Sequence, residues 1–295
     1  MAEFDSLDAL EEGFRTHGYI AERDLLTPLF LLTRLGRPLL LEGHAGVGKT
    51  ETAKVLAQLL DTDLIRLQCY EGLDANSTLY EWNYQKQLLA IRLHEGREAP
   101  GDALEKHIFS REFLLERPLL RAISAERAPA VLLIDEVDRA DEEFEAFLLE
   151  LLSDFQITIP EIGTVRAVHR PLVVLTSNRV RELSDALKRR CLYHWIDYPS
   201  FEKELEIVRA KAAGITERLA HQVVRVVQAL RGLQLEKPPG VAETLDWAIA
   251  LLALGRTGLD EDLLESTKGC LLKTTADFDL LRAQLSSLMD AAEAN

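Results

Sequence analysis

Five short apolar segments recur along the N-terminal two thirds of the chain, and longer amphipathic stretches separate them. Consecutive Leu, Ile and Val residues of this kind are typical of strands that are buried on both faces of a parallel sheet. Alternation of such strands with helical periodicity predicts an α/β fold with right-handed crossovers. The predicted strands are 38–42, 64–69, 130–134, 171–176 and 192–197, and the predicted helices are 48–60, 76–94, 141–153 and 181–190.

Two segments interrupt this alternation. Residues 71–128 are too many for one crossover helix, and the Gly/Pro break at 95–102 predicts a loop or hairpin inside them. Residues 156–159 and 164–168 flank a turn at 160–163, which predicts a β-hairpin between the third helix and the fourth strand.

The pattern changes after Pro199, since no strand signal follows it. We therefore predict two domains, an α/β domain with an N-terminal linker over 1–199 and an all-helical domain over 200–295. The helical runs of the second domain are 200–213, 216–231, 240–254, 259–272 and 277–293.

Composition narrows the class of protein. The chain is 47% hydrophobic and 28% charged, and it has no apolar run of about 18 residues that would predict a membrane helix. An acidic N-terminus argues against a secretory signal, and three widely spaced cysteines fit neither a disulfide framework nor a zinc site. We expect a cytoplasmic protein. The net charge of −15 disfavours nucleic-acid binding as the main function, because the phosphate backbone is negatively charged. We therefore expect a protein partner.

The segment from Gly43 to Thr50 fits the phosphate-binding pattern G-x-x-x-x-G-K-[ST], between a predicted strand and a predicted helix. In such a loop the backbone N–H groups point at phosphate oxygens, and the helix N-terminus favours anions. Lys49 would reach the β- and γ-phosphates of ATP, and Thr50 would bind Mg²⁺. The residues expected to contact the nucleotide here are Gly43, His44, Ala45, Gly46, Val47, Gly48, Lys49, Thr50 and Glu51.

Two acids end the third predicted strand. An unpaired buried charge is costly, so Asp135 and Glu136 require a cation opposite them. We expect Asp135 to hold the same Mg²⁺ as Thr50, and Glu136 to orient the attacking water.

Polar residues further along have two interpretations each. Asn178 follows the fourth strand, where it would either reach the γ-phosphate or cap the next turn. Arg189 and Arg190 end a helix, either as a solvated terminus favoured by the helix dipole or as an arginine finger for a neighbouring subunit.

Together these motifs resemble the AAA+ ATPases. The two interrupting segments look like the helix-2 insert and the hairpin before sensor 1, which mark the MoxR branch. Residues 66–89 and 132–163 are most similar to the CoxD-like members, in which the ATPase is linked with maturation of a molybdenum-containing carbon monoxide dehydrogenase or related hydroxylase. The resemblance implies an AAA+ P-loop NTPase core with a five-stranded parallel sheet, followed by an all-helical lid.

The resemblance also implies residue roles. Asn178 matches sensor 1, and Arg190 matches the finger that acts on a neighbouring subunit, with Arg189 as the alternative. Tyr19 and Ile20 lie where the family packs adenine, although a hydrophobic staple for the first helix explains them equally well. Sensor 2 departs from the pattern, because Ala242 or Glu243 stands where an arginine is expected.

Relatives of this type imply a ring, expected to be a hexamer, that acts as a chaperone on a client metalloenzyme. Their usual partner is a von Willebrand A domain protein; neither nucleic acid nor a membrane span is expected. The aromatic run Tyr80, Trp82 and Tyr84 either packs the insert or forms a partner surface. The alternatives are a DNA-acting AAA+ loader or motor and a small-molecule P-loop kinase.

Overall fold

The structure is a computed structural model that describes residues 4–94 and 101–293. The predicted break at 95–102 therefore lies mostly outside the described residues. Within them the chain forms two compact units. The first takes in 4–10, 23–42, 53–94 and 101–194, and the second takes in 11–22, 43–52 and 195–293. The predicted division into domains 1–199 and 200–295 stays a prediction.

A five-stranded parallel sheet confirms the predicted fold class. Its strands are β1 (Leu39–Gly43), β2 (Leu64–Gln68), β5 (Val131–Asp135), β8 (Leu172–Ser177) and β9 (Leu192–Ile196). Their order across the sheet is β2-β5-β8-β1-β9. Its central strands are buried along their whole length, as continuous apolar runs require. Two antiparallel pairs stand apart from it: β3 (Tyr80–Trp82) with β4 (Leu114–Glu116), and β6 (Gln156–Ile159) with β7 (Gly163–Arg166).

Two helices precede the first strand and others connect the strands, with short 3₁₀ turns at Arg111–Phe113 and Val137–Arg139. They are α1 (Leu7–Thr16), α2 (Arg23–Leu35), α3 (Lys49–Leu59), α4 (Ala75–Leu79), α5 (Tyr84–His94), α6 (Gly101–Ile108), α7 (Pro118–Ile123), α8 (Glu142–Asp154) and α9 (Asp185–Arg190).

The predicted helix over 76–94 is interrupted, since Ala75–Leu79 and Tyr84–His94 are helical but the segment between them is not. Residues Tyr80–Trp82 form a strand there and pair with Leu114–Glu116. Trp82 is buried in the core of the first unit, so the packing interpretation holds for it, whereas Tyr84 is 64% exposed. Pairing with a distant segment overrode the local helical pattern.

The predicted hairpin is present. Ile157 faces Val165 and Ile159 faces Gly163 across β6 and β7. Ile157 and Ile159 are buried in the core of the first unit, while Thr158 between them is exposed, as the two-residue period of a strand requires.

The remaining helices lie in the second unit, around a separate core that includes Val223, Val227, Trp247 and Leu251. The last predicted helix is divided, because Gln284 ends one helix and the next begins at Leu285. These helices are α10 (Phe201–Lys211), α11 (Glu217–Arg231), α12 (Val241–Ala253), α13 (Glu261–Leu271), α14 (Thr275–Ala283) and α15 (Leu285–Glu293). Among the described residues, none of the helices combines the length and apolar character needed to cross a membrane.

Candidate nucleotide-binding site

The loop between β1 and α3 has the backbone of a phosphate cradle. Gly46 and Gly48 have φ values of 73° and 96°, in the left-handed region that residues with a Cβ rarely adopt. Glycines at these positions let successive N–H groups turn toward one concave side, where they bind anions.

Lys49 begins α3 and is buried. Its Nζ donates to the carbonyl oxygens of Gly43 at 2.8 Å and His44 at 2.6 Å. The ammonium is thus held inside the loop beside a helix N-terminus, which favours a phosphate through both the lysine charge and the helix dipole.

Tyr19 lies against the start of the same helix. A Cβ on Gly48 would lie 3.5 Å from its ring, and Thr52 Oγ1 donates to its hydroxyl oxygen at 2.8 Å. Burial raises the pKa of the Tyr19 hydroxyl to about 12, against the opposing effect of the Thr52 hydrogen bond. Tyr19 thus lies beside the loop, and the adjacent Ile20 is half-buried. Their role in packing adenine stays a prediction.

His44, in the loop itself, is exposed and stacks on Tyr198, with ring centroids 4.3 Å apart and planes at 8°. The Arg231 guanidinium lies 4.5 Å from the centroid of the Tyr198 ring. Arg231 and His44 therefore share an aromatic partner, a link for which the sequence analysis had no signal.

The N-terminus of α12 contacts the loop through its backbone. The N–H of Ala242 donates to the Gly46 carbonyl at 3.1 Å, and Glu243 Oε2 accepts from the Gly240 N–H at 2.9 Å. A Cβ on Gly240 would lie 2.6 Å from the carbonyl oxygen of Ala45, so only glycine fits there. In place of the expected sensor 2 arginine, a backbone hydrogen bond joins this helix to the phosphate loop.

Arg231 is held by the buried carboxylate of Glu204. Its two terminal nitrogens each lie 2.7 Å from a carboxylate oxygen of Glu204, and its Nε donates to the Pro239 carbonyl at 2.7 Å. Thr244 and Gln228 also donate to Glu204, each at 2.7 Å. The cation is therefore committed to a buried network within the second unit.

In the first unit, Asp135 ends β5 and is buried. Its Oδ1 accepts from Thr176 Oγ1 at 2.5 Å, and its Oδ2 accepts from Arg66 at 2.5 Å from Nη2 and 3.0 Å from Nε. Arg66 is thus a cation opposite Asp135. The sequence analysis missed this role, and its only signal was a lone charge within the apolar strand β2.

Glu136 has φ 54° and ψ 48°, a left-handed conformation that is costly for a residue with a side chain. Its N–H donates to Thr176 Oγ1 at 2.9 Å, and its carboxylate lies 2.7 Å from Arg139 Nε. The hydroxyl of Thr176 thus holds the turn on which both acids lie, and the Glu136 side chain remains one-third exposed.

Asn178 directly follows β8, which pairs with β5, so it lies at the same edge of the sheet as the two acids. Its backbone N–H donates to Oδ2 of the buried Asp138 at 3.1 Å. The sequence analysis also missed this contact of Asp138, and its only signal was an acid three residues after Asp135.

Arg189 and Arg190 end α9, and both side chains are exposed. The Arg189 carbonyl accepts from Arg37 Nη2 at 3.1 Å, which fixes the helix end. Exposure is what a residue acting on another subunit requires.

Thr50 and Glu51 lie half-buried in the first turn of α3. Within the part of the chain that the structure describes, no group of three or more His, Cys, Asp or Glu side chains is arranged as a metal site.

Comparison with known proteins gives one family model, described as AAA domain (dynein-related subfamily), which matches residues 38–191. The denitrification regulatory protein NirQ of Pseudomonas aeruginosa is 24% identical over 266 residues, covering 87% of this chain and 90% of NirQ. The gas vesicle ATPase GvpN of Haloferax mediterranei is 27% identical over 206 residues, covering 67% of this chain and 57% of GvpN.

Among solved structures, a point mutant of RuvB from Thermotoga maritima superimposes with a TM-score of 0.51 at 18% identity, covering 99% of this chain and 86% of that chain. A likeness at this identity concerns the fold alone. The fold, the phosphate loop and the acidic strand end all agree with the family match.

Proposed function

Because the chain belongs to the AAA domain family, dynein-related subfamily, we propose that it is a MoxR-type AAA+ ATPase that remodels a protein client. The observation that carries the proposal is the glycine-wound loop around the buried Lys49. The left-handed Glu136 turn after the buried Asp135 supports it as well.

The proposed reaction is in-line attack of water on the γ-phosphate of ATP. The loop N–H groups and Lys49 bind the phosphates and offset their charge. Thr50 and Asp135 would hold Mg²⁺, which when bound neutralises charge on the transferring group. Arg66 has to give up or share Asp135 for this to happen.

Glu136 is proposed to orient the attacking water. Its carboxylate pairs with the half-exposed Arg139, an exposed contact of low energy that a bound water can replace. Asn178 is proposed to contact the γ-phosphate from the end of β8.

Arg190 is proposed to complete the site of a neighbouring subunit in a hexameric ring, with Arg189 as the alternative. An arginine finger contributes about 10³–10⁵ in rate in NTPases that use one. Hydrolysis would then depend on assembly.

The client is proposed to be a metalloenzyme, with a von Willebrand A domain protein as partner and a molybdenum hydroxylase such as carbon monoxide dehydrogenase as the specific case. The resemblance of residues 66–89 and 132–163 to CoxD-like proteins supports this. NirQ and GvpN carry different names, a regulatory protein of denitrification and a gas vesicle ATPase, so they do not select one client.

The competing functions make different predictions. A DNA-acting loader should show turnover that rises with DNA and falls with salt, which the net charge of −15 disfavours. A small-molecule kinase should transfer phosphate to a metabolite. We expect turnover to respond instead to the von Willebrand A protein, and strong stimulation by DNA alone would favour the loader.

The site is tested with Lys49→Ala and Glu136→Gln, with Glu143→Gln, an exposed acid on α8, as the control. Lys49→Ala should lose nucleotide binding, because the phosphates lose their buried cation. Glu136→Gln should bind ATP but not hydrolyse it, and the control should do both. Binding is measured with a fluorescent ATP analogue and hydrolysis by phosphate release. Normal turnover in Glu136→Gln would contradict its assigned role.

The finger is tested by mixing subunits. Arg190→Ala supplies an intact site without the finger, and Glu136→Gln supplies the finger beside a dead site. If Arg190 acts on its neighbour, the mixture should hydrolyse more ATP than the two proteins measured separately. The same mixture with Arg189→Ala decides between the two arginines, and a mixture with no gain for either excludes action between subunits.

A further inference from the structure

Glu136 and Asn178, two of the proposed catalytic residues, lie on segments that follow the neighbouring strands β5 and β8 of the first unit. The ladder between β5 and β8 ends at the pair Ile134 and Leu175. Glu136 and Asn178 both lie past that pair, so backbone pairing does not set their separation.

Side chains of these two segments replace the missing ladder. Thr176 joins Asp135 to the Glu136 N–H, as described above. Asp138 adds the second link, because its Oδ2 accepts from the N–H of Asn178 at 3.1 Å and from the N–H of Val180 at 2.8 Å. One carboxylate oxygen therefore fixes both amides on either side of Arg179.

The linked segments are also strained in the same way. Positive φ values in residues other than glycine occur at only four positions of the described chain, and two of them are Glu136 at 54° and Arg179 at 57°. Such conformations persist only where the surroundings hold them. Thr176 holds the first, and Asp138, together with Ser177 Oγ on the Arg179 N–H, holds the second.

The cost of placing Asp138 here argues against a space-filling role. The residue is 2% exposed, and its second oxygen, Oδ1, is buried without a hydrogen-bond partner among the described residues. A buried carboxylate with one unsatisfied oxygen is expensive. The two hydrogen bonds that Oδ2 accepts from backbone N–H groups are the interaction that offsets this cost.

We propose that Asp138 is a positioning residue that fixes Asn178 relative to Glu136, so that the group contacting the γ-phosphate and the group orienting water keep one separation. It touches no substrate itself. This inference rests on the proposed function, because it assumes that Asn178 contacts the nucleotide.

The test compares Asp138→Ala with Asp138→Asn in the full chain. Alanine removes the acceptor, whereas the asparagine carbonyl can accept both N–H groups. Asp185→Ala, an exposed acid on α9, is the control. Amide hydrogen exchange of the peptide around Asn178 and Val180 is measured without nucleotide, together with kcat, KM and the affinity for fluorescent ADP.

In Asp138→Ala we expect faster exchange at these two amides and a kcat about 10- to 100-fold lower, since small misplacements of reacting groups have effects of this size. Affinity for ADP, which lacks the γ-phosphate, should stay within about twofold. Asp138→Asn should restore both the exchange rate and kcat. If Asp138→Ala does not fold, Asp138→Ser, whose hydroxyl is too short to reach both amides, takes its place.

Unchanged exchange in Asp138→Ala would overturn the proposal, as would faster exchange with an unchanged kcat. A loss of kcat that Asp138→Asn fails to rescue, with exchange restored, would also overturn it. Failure of the proposed function is separate, because the wild-type chain would then hydrolyse no ATP while the exchange comparison still reads the two amides.

Discussion

Two buried ion pairs between a carboxylate and an arginine, Glu204 with Arg231 in the second unit and Asp135 with Arg66 in the first, differ in how much of the cation is buried. In the second unit Glu204 is fully buried and the Arg231 side chain is 6% exposed. In the first unit Asp135 is nearly as deeply buried, with 4% of its side chain exposed, but the Arg66 side chain is 49% exposed. The anions match, and the cations do not.

That difference decides whether a pair can open. Releasing Arg231 would leave a buried charge without a partner, so the pair acts as a fixed part of the helical core. Releasing Arg66 costs little on the side of the cation, because its guanidinium is already half in water, and a bound metal ion would then replace it opposite the buried Asp135. A fixed pair suits stability, whereas an openable pair suits an acid that has to exchange one cation for another.

The largest effect should follow from breaking the fixed pair. Glu204→Gln removes the charge opposite Arg231 while keeping the shape, and breaking a buried pair in this way costs about 3–5 kcal/mol. The free energy of unfolding in urea measures the loss. Glu217→Gln, which removes an exposed partner of Arg209, is the control and should change little. Equal losses in both variants would show that burial does not distinguish the pairs.

A smaller effect should follow from Arg66→Ala, about 1–3 kcal/mol without ligands, because the buried Asp135 loses its cation but keeps the hydrogen bond from Thr176 Oγ1. The stabilisation gained from Mg²⁺ with ADP should be larger than in the wild type, because no guanidinium competes for Asp135. Melting temperatures in EDTA, in ADP alone and in Mg²⁺ with ADP measure this. An identical gain in both proteins would mean that Arg66 does not compete with the ion.

The smallest effect concerns the cysteines, which can report where the molecule opens. Burial raises the pKa values of the Cys69 and Cys191 thiols to about 12, whereas Cys270 is only partly buried. In mildly alkaline solution we expect a reagent that reacts with thiolates to modify Cys270 first, and to modify Cys69 and Cys191 only on unfolding.

The raised pKa values of Cys69 and Cys191 also make the folding stability depend on pH. The unfolded thiols ionise near their ordinary pKa of 9.0 and the folded ones near 12, so their contribution to stability is complete below 9.0 and is lost as pH rises toward 12.

In Glu204→Gln, faster labelling of Cys270 with Cys69 and Cys191 still protected would show that the second unit opens alone. Simultaneous labelling of all three would show one cooperative unit.

Much of the fold and part of the site could be predicted from the sequence, because the relevant signals are local. The glycine spacing from Gly43 to Gly48 sets the loop, apolar runs set the strands, and the turn that ends at Gly163 sets the hairpin. The position of Asp135 and Glu136 at a strand end followed from the same patterns. These features need only a few neighbouring residues to form.

What the tertiary structure alone decided depends on residues that are far apart in the chain. Arg66 meets Asp135 across 69 positions, Asp138 meets Asn178 across 40, and β3 forms only because Tyr80–Trp82 finds a partner in Leu114–Glu116. The backbone bond from Ala242 to Gly46, where a sensor arginine was expected, is of the same kind. Local propensity cannot specify such pairs, since their formation depends on the packing of the whole unit and on the cost of leaving a buried polar group unpaired.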